Sequence, residues 1–136
     1  GIWLLGNSGS APKLLTDAPE THHVLHTNAY VLWWNTKTIS IYWIVNDAQL
    51  PPFQKTREET IYHASGTIQN VLPYPGEQYL LIQEDNTIYT LELDGRGGTR
   101  NKQVLYKGEH PFFHASPQEK TLYVYDNGTV LTIELP

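Results

Sequence analysis

His22, His23 and His26 crowd one short segment, and His110 and His114 form a second pair. Neutral imidazole is a ligand for zinc, copper or nickel. In an extended strand, alternation puts His22 and His26 on one face and His23 on the other. No His-Glu-x-x-His pattern accompanies them, and the chain has no cysteine to complete a mixed site. Ordinary polar residues beside a channel or loop are the plainer expectation, with no metal and no cofactor.

The aromatic residues are the second candidate set. Trp33 and Trp34 are consecutive, so in a strand they face opposite sides. One fits a core, and the other packs between layers or is exposed. Tyr42 and Trp43 follow in the next apolar run, with Trp3 and Tyr30 nearby in type. Exposed tryptophan suits sugar stacking or a protein interface, which makes Trp33, Trp34, Tyr42 and Trp43 the candidate binding residues.

Other chemistry is poorly provided for. Glu58, Glu59, Glu84, Asp85 and Asp94 fall in turn-like stretches, whereas a glycosidase needs two carboxyls set across a cleft. Solvated charges are the expectation. The glycine-rich stretches at 8–10 and 94–98 match neither phosphate-loop pattern, and no Gly-x-Ser-x-Gly elbow is present. Asn127-Gly128-Thr129 fits a glycosylation sequon, but its copy 42 residues earlier reads as a turn. A non-enzymatic protein is expected.

The elements that must position these residues are set by a repeat. Residues 75–93 return without a gap as residues 117–135, with seven of 19 positions identical: Pro75/Pro117, Glu77/Glu119, Leu80/Leu122, Thr87/Thr129, Thr90/Thr132, Glu92/Glu134 and Leu93/Leu135. Trp43 occupies the position that Glu92 and Glu134 hold in the later copies, and an aromatic where the repeat is otherwise charged points to an exposed contact. Each unit holds two short runs rich in β-branched and aromatic residues, separated by Asp-Asn or Asn-Gly chemistry that suits a hairpin. A period of about 40 residues is the length of a four-stranded propeller blade. A turn containing Pro75 or Pro117 precedes each hairpin and stops the strand before it.

Ser116-Pro117-Gln118-Glu119-Lys120 followed by Thr121-Leu122-Tyr123-Val124 resembles the turn-plus-strand signature of TolB-like and WD40-like β-propellers. The earlier copy departs from it at Tyr74 and Gln78 while keeping the turn. Residues 92–98 are similar to a strand connection in propellers of bacterial extracytoplasmic proteins of the PEGA-associated type, although no PEGA domain is present. The resemblance implies an all-β fold of four-stranded antiparallel blades, about three in this chain. It also implies a periplasmic, cell-surface or secreted bacterial protein. Inner strands of a propeller line a channel, which is where His22, His26 and His114 would meet.

Taken in order, the strands read as a partial blade over 1–17, blades over 18–64 and 65–108, and a partial blade over 109–136. No helical period runs through the chain. Such a stack leaves two apolar end faces. Three outcomes follow: the remainder of a longer parent chain completes it, a second copy pairs with it into about six blades, or it closes in another way. Gly1 is not a translation start and the chain contains no Met, so a processed or excised chain is expected.

Composition sets the remaining bounds. The chain has 136 residues, enough for one domain with a real core. Charged residues make up 17% and aromatics 12%, which favours a packed β domain over disorder. The net charge is −5 with basic residues scattered, whereas nucleic acid needs a basic face. No apolar run approaches the roughly 20 residues of a membrane helix. The function expected is a scaffold or interaction module that presents propeller loops and the channel face to a protein or glycan partner. The alternative is a lectin-like propeller using its aromatics.

Overall fold

The computed structural model describes residues 1–5, 11–17, 23–51, 56–74, 78–96, 98–116 and 118–135. The expectations for the loop at 8–10, for His22, for Pro75 and for Pro117 lie outside the described residues. Thirteen strands follow one another: β1 (Ile2–Leu4), β2 (Lys13–Thr16), β3 (His23–His26), β4 (Tyr30–Trp34), β5 (Thr38–Trp43), β6 (Glu58–His63), β7 (Ile68–Pro73), β8 (Tyr79–Glu84), β9 (Thr87–Glu92), β10 (Lys102–Lys107), β11 (Phe112–Ser116), β12 (Thr121–Asp126) and β13 (Thr129–Glu134). A single 3-10 turn, Asp47–Gln49, interrupts the β5–β6 connection. Among the described residues no helix is long and apolar enough to cross a membrane.

The strands form four antiparallel sheets in chain order: β1-β2, β3-β4-β5-β6, β7-β8-β9-β10 and β11-β12-β13. All are meanders, because every connection is short and each strand pairs with its sequence neighbour. The fold is all-β, and the sheets are open. Among the described residues no strand joins the last sheet to the first.

The hairpins form where the turn residues allow. Asn127 and Gly128 have φ of 51° and 81°, the pair of positive values that a type I′ turn demands. In the copy, Asp85 alone is positive, at 50°. The first hairpin uses other chemistry: the Asn35 Oδ1 accepts the Lys37 and Thr38 amides, both at 2.8 Å. That bond pattern is an Asx turn.

Period-two alternation then sends each central strand into two cores. Tyr30, Leu32 and Trp34 of β4 point to one side and Val31 and Trp33 to the other; all five are buried. Tyr30, Leu32, Trp34, Ile39 and Ile41 form one cluster with Val71, Leu80, Ile82 and Leu91 of the next sheet. Val31 and Trp33 form another with Leu15, against which Ile2 and Leu4 pack. Leu81 and Ile88 close a third with Phe113, Leu122 and Val124. Near-continuous apolar runs are what strands covered on both faces require. Burying each leucine or isoleucine contributes about 1.5–3 kcal/mol, and conformational entropy offsets most of the sum.

The stack therefore runs first sheet on second, second on third, third on fourth. Its two outer faces have no cover among the described residues. Trp3 (57% exposed) and Leu14 stand on the first sheet, and Phe112 (61%), Tyr125 and Val130 (62%) on the last.

Candidate interaction surfaces

The structure moves the expected aromatic site into the interior. Trp33 and Trp34 are buried in the cores on either side of β4. Trp43, expected as an exposed contact, is only 3% exposed. Register supplies the reason. Trp43 pairs with Tyr30 across β4 and β5, and the rings meet edge-on with centroids 5.1 Å apart. In the later copies the same pair is Tyr79/Glu92 and Thr121/Glu134. The charge was replaced together with its cross-strand partner, so the exchange marks a local aromatic core. Tyr42 is half-buried, with the Lys13 Nζ 4.8 Å from its ring centroid.

The histidines do not converge. His26 is exposed on β3 and His114 is exposed on β11, with the sheet β7–β10 between theirs. His23 stacks on Trp34 at 5.5 Å and 23°. Among the described residues no group of three His, Asp or Glu side chains is placed to hold a metal ion.

Two carboxylates that read as solvated turn charges are instead buried latches between sheets. Glu84, at the end of β8, accepts from the Tyr62 hydroxyl at 2.6 Å, the Ser65 hydroxyl at 3.4 Å and the Gly66 amide at 3.3 Å. Asp126, at the end of β12, accepts from the Tyr106 hydroxyl at 2.6 Å, the Glu109 amide at 3.1 Å and the His110 amide at 2.9 Å. In each case a tyrosine one residue before the end of a fourth strand reaches the second strand of the following sheet. The Tyr106 hydroxyl, then the His110 amide, hold the Asp126 carboxyl below its ordinary range. Burial first, and then the bond to Glu84, raise the Tyr62 phenol. The Tyr106 phenol is raised chiefly by its bond to Asp126.

At the first interface Leu15 holds the tyrosine's place and Asn35 the carboxylate's. Both partners changed together: Leu15 entered the apolar core and Asn35 turned to its own hairpin. Sequence reasoning missed the latch, although the repeat aligns Glu84 with Asp126 and places a tyrosine about 20 residues before each.

Charged residues tie the outer strands of successive sheets. Lys13 of β2 pairs with Glu58 of β6 at 3.3 Å. Lys102 of β10 donates to the Tyr62 hydroxyl of β6 at 3.1 Å. Arg100, just before β10, pairs with Glu59 of β6 at 2.7 Å.

The last sheet has nothing at this outer position among the described residues, and a groove opens there. It encloses about 620 Å³ and is lined by Tyr74, Tyr79, Thr90, Gln103, Leu105, Glu134 and Leu135. Its floor is the face of β9 and β10, and one wall is the free edge of β13. The fold thus offers three association surfaces: two end faces and this groove. Comparison of the chain with protein-family models, with curated proteins and with solved structures found no match to any of them.

Proposed function

We propose that the chain is a non-enzymatic scaffold and interaction module, built as a propeller-type stack of sheets, that associates through its two end faces. The observation that supports this reading is the apolar cluster Phe112, Tyr125 and Val130 left uncovered on the last sheet. Phe112 and Tyr125 are register partners with ring centroids 5.4 Å apart, and Val130 pairs with Tyr125 from the other side. An exposed patch of this kind on a chain of 136 residues marks an association site.

The two end faces are of opposite kinds. In the copy one period earlier, the face equivalent to the Phe112/Tyr125/Val130 face includes Leu81 and Ile88, which take the following sheet. The Trp3/Leu14 face is the side by which later sheets pack on a preceding one. One face therefore fits the other, head to tail. A second copy is the simplest partner that brings both, because two such contacts close a two-fold ring. Two copies bring twice the four sheets of one chain, within the blade numbers that propellers use.

The sugar-binding alternative rested on an exposed Trp43, and burial of that side chain removes its support. Sedimentation over a concentration series tests the proposal. Association at micromolar chain concentration is the expected result, and a monomer throughout contradicts it.

A further inference from the structure

The edge of β13 and the groove beside it form a site that nothing else in the molecule fills. We propose that this edge captures an extended polypeptide segment as a fourth antiparallel strand, one with a basic residue at its start and a leucine or isoleucine three residues on. This deepens the reading of the chain as an interaction module and rests on it.

The chain contains two examples of the filled site. β6 pairs with β5 and β10 pairs with β9 on the edges that correspond to the free edge of β13. At both, the backbone amide of the residue equivalent to Glu134 donates outward: Trp43 to the Arg57 carbonyl at 2.8 Å, and Glu92 to the Asn101 carbonyl at 2.9 Å. The next residue donates inward each time: Ile44 to Ala29 at 2.9 Å, Leu93 to Gln78 at 2.9 Å and Leu135 to Lys120 at 2.7 Å. The inward bond of Leu135 fixes the outward direction of the Glu134 amide. Strand alternation then aims the Thr132 and Val130 amides to the same side. A row of such donors is a template for strand addition.

The groove specifies the side chains. Leu105, Leu135 and Tyr74 give it an apolar surface, which suits the leucine or isoleucine. In the filled examples Ile61 of β6 is buried in the core with the following sheet, and Leu105 of β10 packs against the next core. The basic start follows from the interior steps, where Lys102 lies over Tyr62 and Lys13 meets Glu58. At the last step Tyr106 takes the place of Tyr62 as the surface on which such a residue would lie.

The natural probe is the chain's own fourth strand. A synthetic peptide of residues 99–108 carries Lys102 and Leu105 in the required spacing. Amide exchange is followed in the intact 136-residue chain with and without this peptide. The proposal predicts that the Val130, Thr132 and Glu134 amides exchange about tenfold more slowly at saturating peptide, while Leu131 and Ile133 stay as they were. Leu105→Asp in the peptide is expected to weaken binding by about tenfold or more. Thr132→Pro in the protein removes one donor at an edge position where proline is tolerated and is expected to abolish capture. Leu105→Glu in the protein charges the groove floor without touching the β13 backbone. It serves the same purpose if T132P does not fold.

Unchanged exchange at millimolar peptide overturns the proposal, as does equal protection by a scrambled peptide. Edge amides protected without peptide, to a degree that rises with protein concentration, also overturn it, because a second copy then occupies the edge. The association test of the end faces is read from mass, so either reading can fail while the other stands.

Discussion

The Tyr106 hydroxyl donates to the Asp126 Oδ2 at 2.6 Å, joining the last strand of one sheet to the central strand of the next. The Tyr62–Glu84 bond, also 2.6 Å, repeats the relationship one sheet earlier. Stacked sheets held only by apolar contacts have little to fix their offset. A directional bond at the same place in successive steps supplies it.

Tyr62→Phe leaves the buried Glu84 carboxylate with only Ser65 and Gly66 as partners. The expected loss is about 1–3 kcal/mol of unfolding free energy, read as a lower urea midpoint with an unchanged slope. A midpoint equal to that of the parent chain would show that the bond is not formed in solution.

Acid should weaken the same joint. The Asp126 carboxyl titrates below its ordinary value when folded, so the folded state favours the ionised form. That contribution is present above the unfolded value of about 3.9 and fades as pH falls through the lower folded value. Asp126→Asn should flatten the acid limb of a stability-against-pH curve. The phenols act at the other extreme: Tyr62 and Tyr106 are raised, so their contribution holds below pH ~10 and is lost as pH climbs through the folded values.

Trp43→Ala is expected to cost about 3–5 kcal/mol, as for a large aromatic removed from a core. Trp3→Ala, on an exposed face, should change monomer stability by no more than about 0.5 kcal/mol while weakening association. Urea melts of the two variants side by side check the assignment of Trp43 to the interior.

The strand order was legible because the repeat, the turn residues and the apolar runs all point the same way. β4 and β10 fall on the residues that their patterns mark. The site was less legible, since a single sequence shows residue types and not their cross-strand partners. Trp43 reads as exposed while it is compared only with Glu92 and Glu134; Tyr30 opposite it reverses the reading. Glu84 reads as a turn charge until Tyr62, 22 residues earlier, is brought beside it. Both misreadings come from contacts set by sheet register and stacking, which local pattern does not contain. The β5–β6 connection differs from the later ones for a local reason. There Arg57 donates to the Trp43 carbonyl at 2.9 Å and also to the Val45 carbonyl, and β5 ends at Trp43.

The central claim is that the end faces associate, and native mass spectrometry of the chain beside its Phe112→Asp variant tests it most directly. The account predicts a parent species at twice 15.5 kDa and a variant at the monomer mass with its fold retained by circular dichroism. A parent chain that stays monomeric at micromolar concentration, or a variant that pairs as well as the parent, would contradict it.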